Sequence, residues 1–167
     1  MRLTKFSDYA LRALLYAASR PDALVTIEQT AEIFDVSRAH MKKVVLLLIR
    51  EGFLRAVRGR SGGFTLARPA EEINLGHVLR ATEADFGLVE CFMAGNRCRI
   101  TRRCGLPGVF NEALAAFLGT FDRYTLAQFV IAESHFLDKP SPQPLRGPYL
   151  PPGMPRHDDA SEPSKGY

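Results

Sequence analysis

The chain lacks the long apolar runs and paired cysteines that mark several classes of protein. No stretch of its 167 residues approaches the ~20 apolar residues that span a bilayer, and its opening residues carry charges among the apolar ones. Its three cysteines are an odd number, which argues against a disulfide framework and for reduced thiols that bind metal or react. It also lacks a constellation of acid, base and nucleophile, so we do not expect an enzyme. We expect a soluble cytoplasmic protein.

Acidic residues are scarce in one part of the chain. Between Arg38 and Arg68 there are eight basic residues and the single acid Glu51, whereas the whole chain has a net charge of only +4. The positive charge is therefore concentrated. Such a segment indicates a phosphate-backbone partner, although a solvated basic surface is the commoner explanation for a charge run taken alone.

Helical spacing and capping residues predict three short helices at the start of the chain. Ser7 is the predicted cap of the first, and Thr26 with Gln29 forms a capping box for the second. Ser37 caps the third, which stops at Gly52. The second and third are joined by a turn of about two residues, and the third is basic at its start. This arrangement predicts a helix-turn-helix.

The segment 53–68, FLRAVRGRSGGFTLAR, changes to the pattern of two strands joined by a glycine-rich turn. The hairpin is basic and directly follows the helix-turn-helix. This order is typical of a winged helix, in which one helix enters a groove of DNA and the hairpin reaches the neighbouring backbone. We therefore predict a mostly α fold with a small β-hairpin wing.

Further helices are predicted after the wing. Asn74 caps one of them, a long helix follows Pro107, and Thr125 caps a short final helix. The long helix could pack on its own domain or form a dimer, and we favour a dimer because two half-sites lengthen the DNA contact. Its apolar stripe comprises Phe110, Ala113, Leu114, Phe117, Leu118 and Phe121.

The basic ends of the third helix and of the hairpin carry the predicted DNA contacts. The N-terminus of a recognition helix meets base edges, while basic side chains along its flank hold phosphates. The alternatives are an ordinary amphipathic surface helix and arginines that keep an exposed hairpin soluble. The predicted contacts are Ser37, Arg38, His40, Lys42 and Lys43 on the helix, with Arg58 and Arg60 beside the turn.

All three cysteines lie in one arginine-rich stretch, CFMAGNRCRITRRC, residues 91–104, which we call the cysteine segment. Structural zinc usually takes a CxxC pair, which is missing, and a nucleophilic cysteine needs a positioned histidine, for which His77 is the only plausible neighbour. An iron–sulfur cluster suits the segment better, because its negative charge would be offset by the arginines. Zinc and idle thiols remain alternatives.

Three cysteines leave one position open on an iron–sulfur cluster. Besides an external ligand, the candidate residues are Asp8, His77, Asp85 and Glu90. An acid in the first turn of a helix is favoured by the helix dipole and needs no further purpose. The residues alone therefore favour the dipole explanation for Asp8.

Five stretches of the chain carry a resemblance to a known family: MRLTKFSDYALRALLYAA, VSRAHMKKVV, AVRGRSGGFTLARP, the cysteine segment and FDRYTLAQ. Together they resemble the NsrR-type nitric-oxide-sensitive repressors, a branch of the winged-helix iron–sulfur regulators that also includes IscR. The match covers residues 1 to about 133 in order. IscR-like proteins place a histidine three residues after the last cysteine, whereas this chain has Pro107, which disfavours that branch.

The resemblance implies a homodimer that binds double-stranded operator DNA when it carries a cluster and releases it when nitric oxide attacks the cluster. It implies that Cys91, Cys98 and Cys104 are the cluster ligands, with Asp8 supplied by the partner subunit. We expect a 4Fe-4S cluster ahead of a 2Fe-2S cluster. A regulator of the same fold that senses iron–sulfur supply or redox state is the first alternative, and a small iron–sulfur electron carrier is the second.

These expectations divide the chain into four parts. Residues 1–82 form the winged helix-turn-helix domain, and residues 83–106 form the cluster-binding loop. Residues 107–137 form the dimerisation helix and the short terminal helix. Residues 138–167 hold 8 of the 11 prolines and are expected to be a disordered tail.

Overall fold

The structure is a computed structural model that describes residues 3–59 and 62–138. Its fold is mostly helical with one small hairpin, as the sequence predicts. No helix within the described ranges has the length and apolar character needed to cross a membrane. The helices are α1 (Lys5–Ala18), α2 (Ile27–Ile33), α3 (Arg38–Arg50), α4 (Leu75–Thr82), α5 (Leu106–Phe121) and α6 (Ser134–Leu137), and the strands are β1 (Leu54–Val57) and β2 (Gly63–Leu66).

The helix-turn-helix begins and ends with the predicted caps. Thr26 and Gln29 form the capping box of α2, and the side chain of Ser37 accepts a hydrogen bond from the backbone N–H of His40 at 3.3 Å. At the end of α3, Gly52 has a φ of 73°, a left-handed conformation that favours glycine. Local residue types therefore determine where these two helices start and stop.

The prediction that Ser7 caps α1 is wrong, because the cap is Thr4. The Thr4 hydroxyl accepts the backbone N–H of Ser7 at 3.2 Å, and Ser7 lies inside the helix, fully buried. Glu83 decides this choice. Its carboxylate accepts hydrogen bonds from the backbone N–H of Thr4 at 2.9 Å, from the Thr4 hydroxyl at 3.0 Å and from the Ser7 hydroxyl.

The wing is an antiparallel pair in which Leu54 faces Leu66 and Val57 faces Gly63. Phe64 of β2 also bridges to Val25, with N···O distances of 3.0 and 2.8 Å, so the wing is joined to the α1–α2 connection. A Cβ on Gly63 would lie 2.5 Å from the carbonyl oxygen of Val25, so this close approach requires glycine.

The hydrophobic core lies within the winged helix-turn-helix. Helix α1 runs through it and buries one apolar face against α3, α4 and β2. Met41, Val44 and Leu48 of α3 are fully buried against this face. The core therefore fixes the direction in which the remaining face of α3 points.

The predicted final helix is only partly correct. The capping box at Thr125 starts a single 3₁₀ turn, Leu126–Phe129, and α6 begins only at Ser134. The extended residues between these two turns allow Phe136 to reach the core, where its ring lies 5.3 Å from that of Tyr16 and 6.2 Å from that of Phe34. The predicted tail from residue 139 onward lies outside the described residues.

Candidate nucleic-acid interface and metal centre

The face of α3 opposite the core is exposed and basic and includes one large apolar residue. Four positions along it, Ala39, Lys42, Lys43 and Leu46, are exposed at helical spacing. Leu46 has 53% of its surface exposed, although it lies in the apolar run VVLLLI. We did not predict Leu46 from the sequence, yet its spacing from Lys42 and Lys43 was the available signal. The face offers cations for phosphates and an apolar contact for a base.

Two predicted contacts at the start of α3 already have partners within the chain. The Ser37 hydroxyl caps the helix, and the guanidinium of Arg38 forms an ion pair with Glu28 of α2. The Arg38 side chain is 74% exposed, so this pair can exchange for a phosphate at little cost. Lys42 and Lys43 form no ion pair with any residue that the structure describes.

His40 lies between α3 and α1. Its ring packs edge-on against Phe6 and Tyr9, with centroid distances of 6.0 and 5.5 Å. Its Nε2 atom is buried and has no hydrogen-bond partner among the described residues. This packing connects the recognition helix to α1, and the contact of His40 with DNA stays a prediction.

The wing presents its arginines in two ways. Arg55 and Arg58 of β1 and its turn are exposed, whereas Arg60 lies outside the described residues. Arg68 instead donates from Nε and Nη2 to the carbonyl oxygen of Gly52, at 3.1 and 2.8 Å, and stacks over the Phe53 ring. Arg68 therefore ties the base of the wing to the end of α3, whereas Arg58 is exposed and forms no ion pair with a residue in the described ranges.

The cysteine segment presents its thiols separately. Cys91 lies in a 3₁₀ turn, Glu90–Phe92, and is half-buried, as is Cys104 just before α5, while Cys98 is exposed. In the described ranges, no three side chains among His, Cys, Asp and Glu are grouped closely enough to hold a metal ion. The donor chemistry fits an iron–sulfur cluster, because three accessible thiols lie on mostly irregular backbone beside four arginines.

The three candidate carboxylate ligands already have hydrogen-bond partners a few residues away in the chain. Both carboxylate oxygens of Asp8 contact Arg12, at 2.9 and 2.7 Å, and the Asp8 side chain is 47% exposed on α1. Asp85 accepts the backbone N–H of Gly87 at 2.8 Å, and Glu90 accepts that of Arg97 at 3.0 Å. Asp8 is thus the carboxylate candidate that lies on a regular helix, and His77, the other candidate, is exposed on α4.

Helix α5 is apolar on nearly every side and has no buried residue. Of the predicted stripe, Ala113 is exposed, and the other five residues are half-buried. Leu106 and Val109 near its start expose 58% and 62% of their surface. An apolar helix of this kind is typical of a surface that another chain covers.

The other end of α5 is fixed to α4. The Asp122 carboxylate receives two hydrogen bonds from Arg80, at 2.5 and 2.8 Å, and this contact lowers the pKa of Asp122 from its ordinary value of 3.8. The Asn74 side chain also donates to the Asp122 carbonyl oxygen at 2.7 Å. The C-terminal end of α5 is therefore held against the domain that carries the recognition helix.

Comparison with known proteins identifies the family. The model of the Rrf2 family, described as iron-dependent transcriptional regulators, matches residues 3–132. The chain belongs to the Rrf2 family. It is 47% identical over 132 residues to the HTH-type transcriptional regulator NsrR of Bacillus subtilis, covering 78% of this chain and 90% of the relative. It is 42% identical over 139 residues to the NsrR regulator of Oceanobacillus iheyensis, covering 82% and 95%.

Solved structures of the same fold include T. potens IscR, with a TM-score of 0.62 at 21% identity, covering 77% of this chain and 85% of that one. The oxidized form of Staphylococcus aureus CymR gives 0.64 at 22% identity, covering 78% and 96%. The winged-helix fold is confirmed. As a member of the Rrf2 family, the protein is a DNA-binding transcription regulator and not an enzyme.

Proposed function

We propose that this Rrf2-family protein is a cytoplasmic repressor that binds operator DNA as a homodimer when it carries an iron–sulfur cluster and releases the DNA in response to nitric oxide. One observation carries the proposal. Three accessible thiols stand between a winged helix and an unburied apolar helix, in a chain that is 47% identical to an NsrR regulator.

The proposed DNA surface combines the exposed face of α3 with the wing. Lys42 and Lys43 supply cations that the fold leaves without partners in the described ranges, and Leu46 supplies an apolar contact one helical turn further along α3. Ser37 and Arg38 stand at the N-terminus of α3, and Arg58 stands beside the wing turn. Arg60 is proposed from the sequence alone. His40 is proposed chiefly to set the angle of α3, because its ring is held by α1.

The proposed dimer forms through α5. A lone winged helix reads a short half-site, and two-fold pairing doubles the DNA contact. The exposed residues of α5 are almost all apolar or small, so pairing would remove from water a surface that the single chain leaves exposed. Because Arg80 and Asp122 fix α5 to α4, the pairing geometry would set the distance between the two recognition helices.

The proposed cluster ligands are Cys91, Cys98 and Cys104, with Asp8 supplied by the partner subunit. When bound, the cluster supplies iron that reacts with nitric oxide, and a 4Fe-4S cluster is favoured over 2Fe-2S. The half-exposed Asp8 carboxylate supports this assignment, because it must exchange only one surface ion pair, with Arg12, to bind iron. The exposed Arg97, Arg99, Arg102 and Arg103 would offset the negative charge.

Control of DNA binding follows from differential affinity for two states of the dimer. With Asp8 of α1 bound to the cluster that the partner subunit holds, the two subunits would be fixed in one relative orientation. This orientation would reach the recognition helix, because Phe6 and Tyr9 of α1 pack against His40 of α3. Release of Asp8 would allow the two subunits to change their relative orientation. A loss of ~1.4 kcal/mol already weakens operator binding tenfold.

The decisive experiment is anaerobic purification with measurement of visible absorbance, iron and sulfide, followed by operator binding before and after nitric oxide. We expect a coloured protein whose operator affinity falls on exposure to nitric oxide. A colourless, zinc-loaded protein would refute the cluster. Release by oxygen or by removal of the cluster, without a response to nitric oxide, would instead indicate a redox or iron–sulfur-supply sensor.

The role of Asp8 needs a control for its ion pair. Asp8→Ala should leave the dimer folded but weaken cluster retention or its control of DNA binding. Arg12→Ala removes the same ion pair and leaves the carboxylate free to bind iron. If Arg12→Ala reproduced the defect of Asp8→Ala, the effect would belong to the ion pair and Asp8 would not be a ligand.

The DNA surface is tested by the dependence of operator binding on salt. Lys42→Ala and Lys43→Ala should each weaken binding and reduce the slope of log affinity against log salt by about one. Arg123→Ala is the matched control, because Arg123 is an exposed cation that follows α5 and belongs to neither α3 nor the wing. An equal effect of Arg123→Ala would show that total charge, and not the face of α3, governs binding.

A further inference from the structure

The stretch between the first two cysteines is closed by a hydrogen bond from side chain to backbone. The Glu90 carboxylate accepts the backbone N–H of Arg97 at 3.0 Å. Glu90 directly precedes Cys91, and Arg97 directly precedes Cys98. The bond therefore draws together the backbone at the two ends of a six-residue gap. Gly95, with a φ of 83°, permits the reversal within that gap.

A second set of hydrogen bonds holds the peptide groups of Cys98. The Asn96 side-chain oxygen accepts the backbone N–H of Cys98 at 2.8 Å. The Asn96 amide nitrogen donates to the Thr101 hydroxyl at 2.9 Å, and that hydroxyl donates to the Cys98 carbonyl oxygen at 2.9 Å. Both backbone polar groups of Cys98 are thus bound by side chains. Asn96 accepts the Cys98 N–H and donates to Thr101, and Thr101 accepts from Asn96 and donates to the Cys98 carbonyl oxygen.

Burial distinguishes these side chains from their neighbours. Asn96 and Thr101 are half-buried, whereas Arg97, Cys98 and Arg99 are exposed. The bond between Asn96 and Thr101 is part-buried, whereas the bonds to the backbone of Cys98 are exposed, and the cysteine that they fix remains accessible. The part-buried bond between Asn96 and Thr101 joins two side chains five positions apart, which an isolated local turn at Asn96 would not do.

We propose that Glu90, Asn96 and Thr101 are positioning residues for the cluster, which hold Cys91 and Cys98 in place before any metal is bound. The inference rests on the proposed function. A preformed loop lowers the conformational entropy lost when thiolates gather around iron, so the cluster is bound more tightly and released more slowly. Cys104 stands outside this network, at the start of α5, and its position depends on that helix.

The proposal assigns Glu90 a different role from that of a fourth ligand. As a positioning residue, it needs only an oxygen that accepts the Arg97 N–H, so Glu90→Gln should behave like the original protein. A ligand would need the carboxylate charge, so Glu90→Gln would then fail as Glu90→Ala does. The same logic applies to Thr101, where Thr101→Ser keeps the hydroxyl and Thr101→Val removes it.

Cluster release is the first measurement. Full-length protein is reconstituted anaerobically, and loss of visible absorbance is followed in excess iron chelator. Glu90→Ala, Asn96→Ala and Thr101→Val should each release the cluster about tenfold faster, the size of a typical effect of a residue that supports a metal ligand. Glu90→Gln and Thr101→Ser should stay within about twofold. Thermal unfolding of the cluster-free proteins should be unchanged, because the hydrophobic core lies elsewhere.

Amide hydrogen exchange of the cluster-free protein is the second measurement. The amides of Arg97 and Cys98 should be protected in the original chain, and protection of Cys98 should be lost in Asn96→Ala. Exchange of both at the rate of an unstructured peptide would overturn the proposal. Cluster release at the wild-type rate by Glu90→Ala, Asn96→Ala and Thr101→Val would also overturn it. The same holds if Glu90→Gln released its cluster as fast as Glu90→Ala. A chain that never binds a cluster refutes the proposed function instead, even if both amides remain protected.

Discussion

The winged helix-turn-helix and the segment that follows it are both rich in apolar residues, but only the first buries them. All buried apolar residues except Leu126 lie between Ala10 and Leu79. From Glu83 to Thr125 no residue is buried, although α5 is one of the most apolar helices of the chain. The first region is complete as a single chain. The exposed apolar surface of the second region is typical of an element that another chain covers, and it supports the proposed pairing through α5.

The largest expected effect comes from truncating one leucine in each region. Leu48 is fully buried on α3, so Leu48→Ala should lower the free energy of unfolding by about 3–5 kcal/mol, through lost burial and an unfilled cavity. Leu106 is 58% exposed on α5, and Leu106→Ala should change that free energy of the monomer by less than about 0.5 kcal/mol. Urea unfolding at a concentration below that of dimer formation measures both. Similar losses would mean that the two regions form one core.

The second prediction concerns the uncovered surface itself. Ala116 lies on the exposed apolar side of α5, so Ala116→Asp would place a carboxylate within the proposed interface, at a cost of several kcal/mol. We expect the protein to become monomeric in sedimentation experiments while its helix content is retained. Asn111→Asp adds the same charge at a polar, exposed position of the same helix and should leave the dimer intact. Dimers that survive Ala116→Asp would exclude this face.

The sequence was most informative where structure is decided locally. The caps at Thr26 and Ser37 depend on residues within one helical turn, so residue types alone predicted them. Ser7 was predicted wrongly because Thr4 and Ser7 are both good caps. The choice is made by Glu83, 76 positions beyond Ser7, whose carboxylate binds both side chains. No local pattern contains that contact.

The same limit applies to the candidate site. The cysteines and the basic face of α3 were visible as residue types at given spacings. The packing of His40 on Phe6 and Tyr9 was not, because it joins two helices whose angle is set by the core. The arrangement of the thiols depends on backbone contacts such as that of Glu90 with Arg97, which spacing does not encode.

The third prediction tests the junction that joins the two regions. A Cβ on Gly76 would lie 1.9 Å from Oδ1 of Asp122 and 2.8 Å from Nη1 of Arg80, so Gly76→Ala must displace this ion pair. We expect Gly76→Ala to lower the free energy of unfolding. In an Asp122→Ala background the same change should be neutral or stabilising, because the carboxylate is gone, the Arg80 side chain no longer has the partner that holds it beside Gly76, and alanine favours the helix. Additive effects would show that Gly76 does not act through Asp122.

The smallest expected effect is the dependence of this junction on pH. Arg80, and more weakly His77, lower the pKa of Asp122 below its ordinary value of 3.8. A carboxyl group with a lowered pKa in the folded state contributes stability that is fully present above that ordinary value. The contribution is lost as the pH falls through the lower folded value. Because the pair is exposed to solvent, the effect should be small and reduced by salt.

Asp122→Asn should therefore lower the free energy of unfolding at neutral pH, and this effect should disappear once the pH lies well below the lowered folded pKa of Asp122, where the group is neutral in both states. Chemical denaturation of both proteins across this range measures the difference. In an Arg80→Met background the difference between the two proteins should vary much less with pH, because the main partner that lowers the pKa is gone and only the weaker effect of His77 remains. An undiminished pH dependence without Arg80 would assign the effect to another charge, with His77 as the first candidate, and the anchor of α5 would then rest on the hydrogen bond from the Asn74 side chain to the Asp122 carbonyl oxygen.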